Sequence, residues 1–131
     1  MQVADRASGL ILLVEDNDEV AEVTTRMLEG LGYSVIRVSS SDQALSYLEQ
    51  SGDVDLLLSD IVMPGSRNGV DLARIVRERY PALPILLSSG YSAVARDAAD
   101  EGLLILSKPY RMAVLERFVR AALDPERRSD C

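Results

Sequence analysis

The sequence predicts an α/β fold in which five parallel strands form one doubly wound sheet with helices on both faces. Three observations predict it. Five short runs read as near-continuous Leu, Ile and Val rather than as alternating apolar and polar residues, as strands buried on both faces require. Between them stand stretches whose apolar residues recur at helical spacing. The chain of 131 residues, 47% hydrophobic and 27% charged, suits one domain with its own core, since domains run to about 100–150 residues. Right-handed crossovers between parallel strands then give a (βα)5 chain.

The first strand is expected at about residues 10–14. Asn17 or Asp18 can cap the helix that follows. Its Val20, Val23, Met27, Leu28 and Leu31 are spaced for one face, and Gly32 stops it. The second strand is Ser34 to Val38. Ser40 and Gln43 read as a capping box for a helix that buries Ala44, Leu45 and Leu48 and ends at Gly52. The third strand spans about Val54–Ser59, and a loop of Pro, Gly, Ser and Asn follows. The third helix begins near Gly69 and buries Leu72, Ile75 and Val76. Pro81 and Pro84 bracket the turn into the fourth strand, Ile85–Ser88. The helix at about 93–100 offers mostly alanine for packing and is expected to be the loosest. The fifth strand is Leu103–Ser107, and the last helix, about Met112–Leu123, buries Val114, Leu115, Phe118, Val119 and Ala122. There is no internal repeat, low-complexity stretch or linker. Residues 1–9 are expected as an N-terminal extension, 10–123 as the domain and 124–131 as a polar, frayed tail.

Composition removes several function classes. A net charge of −7 and a pI near 4.5 repel phosphate backbones, so no nucleic-acid partner is expected. The single cysteine, Cys131, forms no internal disulfide and fits a reducing cytosol. No basic segment leads into an apolar leader, and no apolar run approaches the ~18 residues of a membrane span. A cytoplasmic domain without membrane partners is therefore expected. The chain has no histidine, so His triads and His-ligated metals are excluded, and any phosphohistidine in its chemistry comes from another polypeptide.

The informative residues stand where strands end. With strand order 2-1-3-4-5, the topological switch point lies between strands 1 and 3, and ligands of open parallel sheets bind there, outside the carboxyl ends. Glu15-Asp16 follows strand 1, Asp60 ends strand 3, Ser88-Ser89 ends strand 4, and Lys108, the only lysine, ends strand 5. Crowded carboxylates repel, and one or more of their pKa values should rise unless a cation is present. Oxygen-only ligands favour Mg2+, or Mn2+ in its place. The expected ligands are Asp16, Asp60, the carbonyl of Val62 and waters, with Glu15 mainly behind them. Asp60 would attack phosphorus and become an acyl phosphate. Lys108 would balance charge on the phosphoryl oxygens. The Ser89 hydroxyl would then bond one of those oxygens and pull the loop after strand 4 inward.

Leu-Val-Glu15-Asp16, Ser59-Asp60-Ile-Val-Met-Pro64 with Gly69 beyond it, Ser89-Gly90 and Lys108-Pro109 occur in this order at suitable spacing. On these motifs the chain resembles, over about residues 9–123, the receiver domain of two-component response regulators, a flavodoxin-like fold. Ser88 to Ser92 and the Met63-Pro64-Gly65 loop look most like receivers of hybrid sensor histidine kinases or single-domain regulators. The resemblance implies that Asp60 takes a phosphoryl group from the phosphohistidine of a histidine kinase or histidine phosphotransfer protein. It also implies a cis peptide before Pro109, and a downstream effector that reads the face built from strand 4, the helix after it, strand 5 and the last helix. Two positions depart from the family pattern. Ile105 occupies the usual aromatic switch position, which leaves Tyr91 to supply the aromatic. Gly69 lies one residue later than in many receivers, which lengthens the loop of Gly65, Ser66, Arg67 and Asn68.

Two other readings share the topology. A phosphohydrolase with an aspartyl-phosphate intermediate needs a second acid two residues after the nucleophile, where this chain has Val62. A flavin-binding module needs a hydroxyl-rich phosphate loop after strand 1, where Glu15-Asp16-Asn17-Asp18-Glu19 would repel phosphate. A signalling domain that is not chiefly an enzyme is the reading that remains. Asp53 and Asp55 precede strand 3 and are expected at the opposite edge of the sheet, facing solvent. Arg74, Arg77, Arg79, Arg117 and Arg120 are expected on solvated helix faces.

Overall fold

The computed structural model describes residues 9–50, 53–62, 68–90 and 102–123. Among them the elements run β1 (Leu10–Val14), α1 (Asp18–Gly30), β2 (Ser34–Val38), α2 (Ser41–Gln50), β3 (Leu56–Asp60), α3 (Gly69–Arg79), β4 (Ile85–Ser89), β5 (Leu104–Ser107) and α4 (Met112–Leu123). All pairings are parallel, in the order β2-β1-β3-β4-β5. The predicted helix at 93–100, residues 1–8 of the extension and the tail from 124 lie outside the described residues.

Alternate side chains of the buried strands feed the two faces. Ile11, Leu13, Leu56, Leu58, Leu86 and Leu106 pack with Ala21 and Leu28 of α1 and Leu115, Val119 and Ala122 of α4. Leu12, Val14 and Leu57 pack on the other face with Ala44, Leu45 and Leu48 of α2 and Leu72 and Val76 of α3. Each fully buried Leu or Ile contributes about 1.5–3 kcal/mol. Packing on both faces therefore fixes the register that brings the strand ends to one edge.

Caps set where the helices start. The Asn17 side chain accepts from Val20 N–H, and Asn68 and Asp71 form a reciprocal capping box on α3. Gln43 reaches one residue further back than the expected box. The Ser40 hydroxyl accepts from Gln43 N–H, while the Gln43 amide oxygen accepts from the N–H and hydroxyl of Ser39.

Several expectations need correction. Val23 does not join the buried face of α1; it is 58% exposed. The helix is rotated so that Ala21, Thr24 and Leu28 face the sheet, which moves Val23 to the shoulder beside Pro109 and Tyr110. Val54 precedes β3 rather than opening it, and Ile75, Val114 and Phe118 are only partly buried against the core. Asp55 is exposed as expected but is engaged: its carboxylate accepts from Leu10 N–H at 2.7 Å and so fastens the start of β1.

Gly69 is the contact that joins the fold to the strand ends. Its N–H donates to the Ile61 carbonyl at 2.8 Å. A Cβ there would lie 2.8 Å from Ile61 Cα and closer still to the Asp60 carbonyl oxygen. The obstacle is backbone, so it cannot swing aside. Gly69→Ala is expected to destabilise the protein by about 1–3 kcal/mol, read as a lower urea midpoint at an unchanged slope. An unchanged midpoint would show that the α3 start can move away from β3 at no cost.

Candidate functional site

The sheet register sets the site. Val14 is opposite Ser59, Asp60 opposite Ser88, and Ser89 opposite Ser107, so four strands deliver polar residues to the same edge. Glu15 N–H continues the β1–β2 ladder by donating to Val38 O at 3.0 Å, and Lys108 N–H donates to Ser89 O at 2.9 Å. The Lys108–Pro109 peptide is cis.

The Lys108 ammonium stands between two carboxylates, 3.3 Å from Glu15 Oε1 and 3.2 Å from Asp60 Oδ2. Glu15 is only 4% exposed and takes a further hydrogen bond, at 3.2 Å, from Asn17 N–H to Oε2. Burial raises the Glu15 carboxyl above its ordinary value and the charge of Asp60 adds to the rise, while Asn17 N–H and Lys108 oppose it. A rise from crowding was expected, but desolvation is its first cause. Burial by itself would lower the Lys108 ammonium; the charges of Asp60 and Glu15 overcome it and the net shift is upward.

Carboxylate oxygens of Glu15, Asp16 and Asp60 lie within 4.8 Å of one another. An all-oxygen set of this size fits a hard divalent cation that keeps waters in its shell. Asp16 is exposed and Asp60 intermediate, which leaves solvent access for those waters. Val62 follows at the exit of β3, its side chain exposed. Ser89 is buried at the end of β4. Ile105 lies in β5, partly buried against a cluster that contains Ile61, Val70, Ala73, Leu87 and Leu103. Tyr91 and the Met63-Pro64-Gly65 loop lie outside the described residues.

Two residues at this edge went unread in the sequence. Arg37 on β2 donates from Nε and Nη2 to the Glu15 carbonyl at 2.9 and 2.7 Å. Its only cue is a charge inside an otherwise apolar strand. Tyr110 places its hydroxyl 3.0 Å from Thr24 Oγ1 of α1. Burial raises that phenol above its ordinary range, so it stays protonated and able to donate.

The family profile of the response regulator receiver domain matches residues 11–120. Sensor kinase CckA of Brucella abortus (strain 2308) is 36% identical over 123 residues, which is 91% of this chain and 13% of that protein. Response regulator receiver protein CpdR of the same organism is 35% identical over 105 residues, 78% of this chain and 86% of CpdR. Response regulator protein TrrA from Thermotoga maritima, solved in complex with Mg(2+)-BeF, superposes with a TM-score of 0.80 at 27% identity, covering 88% of this chain and 99% of that one. Among the described residues no helix is long and apolar enough to cross a membrane.

The raised Lys108 pKa fixes the sign of its pH dependence. Stability from its two ion pairs is whole below the ordinary lysine value of 10.5 and is lost as pH rises through the higher folded value. Because Lys108 is the only lysine, selectively labelled lysine gives one ε-carbon NMR signal. Its titration should lie above the ordinary value in the wild type and fall in both Glu15→Gln and Asp60→Asn. A midpoint indifferent to either change would mean that the ammonium is not held by both acids in solution.

Proposed function

The chain belongs to the response regulator receiver domain family, and from that premise we propose that Asp60 is the phosphoacceptor of a two-component phosphorelay. The domain responsible spans residues 10–123. The observation that carries the reading is one ammonium held within 3.3 Å of Glu15 and of Asp60, at the sheet edge where Asp16 supplies a third acid.

A carboxylate oxygen of Asp60 attacks the phosphorus of a phosphohistidine. The donor is a histidine kinase or histidine phosphotransfer protein, since this chain has no histidine. The phosphorus–nitrogen bond breaks, the imidazole leaves with the bonding pair and takes a proton, and Asp60 is left as an acyl phosphate. Asp16, Asp60 and the Val62 carbonyl, with Glu15 behind them, would hold Mg2+ or Mn2+, which supplies charge neutralisation between carboxylate and phosphoryl oxygens. The complex of TrrA with Mg(2+)-BeF supports that assignment. Lys108 trades one of its carboxylate contacts for a phosphoryl oxygen, and the Ser89 hydroxyl donates to another. Tyr91 is assigned as the switch aromatic, since the position in β5 that usually carries it holds Ile105. Phosphorylation then shifts an existing equilibrium of the face formed by β4, β5, α4 and the segment between the two strands. An effector protein reads that face.

The enzyme reading is weaker. Val62 presents an exposed apolar side chain where a phosphohydrolase needs an acid to activate water, so at most weak self-phosphorylation and self-dephosphorylation are expected. A flavin phosphate would meet the acidic turn after β1. Neither a nucleic acid nor a membrane is a proposed partner.

An apolar groove of about 340 Å³ beside Lys108, lined by Val20, Val23, Met27, Pro109 and Tyr110 among others, is assigned to the donor protein. A partner seated there puts its imidazole next to Asp60. With acetyl phosphate and Mg2+ the wild type should gain the mass of one phosphoryl group, and Asp60→Asn or added chelator should abolish the gain. Modification of Asp60→Asn to the same extent would sink the assignment. Val23→Asp should slow transfer from a phosphorylated donor about tenfold, the loss of roughly 1.4 kcal/mol of docking energy, yet leave the acetyl phosphate reaction unchanged. Equal rates from the donor for both proteins would remove the groove from the docking surface.

A further inference from the structure

Arg37 is the fourth residue of β2 and pairs in register with Leu13. Its side chain leans over the end of β1. Nε and Nη2 both donate to the Glu15 carbonyl, and Nη1 lies 2.9 Å from Asp18 Oδ1 in the first turn of α1. The parallel ladder reaches its end here: Glu15 N–H meets Val38 O, β2 stops at Val38, and α2 starts at Ser41. The guanidinium takes over where the backbone ladder stops. One fork thereby ties the exit of β1, an edge strand and the start of α1.

Only Asp16 and Asn17 lie between the two tied points. Asn17 is itself held, since its side chain accepts from Val20 N–H at 2.9 Å and its N–H donates to Glu15 Oε2 at 3.2 Å. The turn that carries two of the three clustered carboxylates is therefore pinned at both ends and in the middle. We propose that Arg37 is a positioning residue for the cation site, holding the β1–α1 turn so that Glu15 and Asp16 present their oxygens beside Asp60 before any cation arrives. The proposal rests on reading Glu15, Asp16 and Asp60 as a divalent-cation site.

Two effects of the guanidinium oppose each other. Its charge repels a cation, and its hydrogen bonds organise the ligands. The Asp18 side chain is 90% exposed, so the charge is paired and screened by solvent and salt. The fork on the Glu15 carbonyl is only partly exposed and directional. Organisation outweighs repulsion, as it does for the groups that orient metal ligands elsewhere, whose loss weakens metal binding by about 10–100-fold. Lysine keeps the charge but cannot reproduce the planar fork.

Calorimetric titration of the full chain with Mg2+, at a temperature where circular dichroism shows each variant folded, tests this without any phosphorylation. Arg37→Gln should bind Mg2+ about tenfold more weakly. Arg37→Lys should recover little of that loss, and it carries the test should the glutamine variant not fold. Asp18→Asn keeps an oxygen acceptor for Nη1 and leaves the fork on the carbonyl, so it should lose clearly less affinity than Arg37→Gln. Arg37→Gln binding as tightly as wild type or tighter, full rescue by Arg37→Lys, or an equal loss in Asp18→Asn would each overturn the role given to Arg37. Asp60→Asn separates the two levels. If the wild type binds no Mg2+, or Asp60→Asn binds as well as wild type, the cation site itself is wrong.

Discussion

One ammonium shared by a buried acid and a half-buried one is the interaction on which the site depends. A parallel sheet sends the carboxyl ends of its strands to a single edge. The sequence loads three of those ends with Glu15, Asp16, Asp60 and Lys108. Burying Glu15 removes its carboxylate from water, and the desolvation cost of a charge is several kcal/mol unless it is paired. Lys108 supplies that pairing from the end of β5, three strands away from β1, which it can do because the core fixes the register of β3 and β4 between them.

The balance is deliberately incomplete. One positive charge faces three acidic side chains, a surplus of negative charge that favours a cation. Asp60 is held by the more flexible of the two strongly basic side chains. An arginine on the carboxylates would be locked into a planar fork, whereas a lysine on a four-carbon stem swings between oxygens with little change in geometry. The chain shows both kinds of contact at one edge: Arg37 grips the Glu15 carbonyl with a planar fork, and Lys108 spans two carboxylates.

Most of the fold was legible because the strands announce themselves. Leu10 to Val14 and Ile85 to Leu87 are too apolar and too short for anything but a strand covered on both faces, and Gly32 and Asn17 mark helix ends through their backbone and capping chemistry. The site was legible for the same reason: acids and a lone lysine directly after apolar runs have a forced location once the sheet is parallel. What failed was rotation about a helix axis. Val23 fits the helical period of Val20 and Met27, but period alone does not say which part of a wide apolar stripe the sheet covers, and the smaller Ala21 and Thr24 sit closest to it. Long-range polar contacts were also hidden. Arg37 on Glu15 and Tyr110 on Thr24 join residues 22 and 86 positions apart, and neither end signals its partner by composition.

The Thr24–Tyr110 hydroxyl contact has a mechanical meaning. Tyr110 is two residues beyond Lys108, and its ring packs against the core while its hydroxyl touches α1. Only Pro109 separates that ring from Lys108, so a shift of the Lys108 backbone would reach the ring, whereas a swing of the side chain alone would not. The first helix is thus attached to the acidic edge at two points, at its start through Asn17 and at its middle through Thr24.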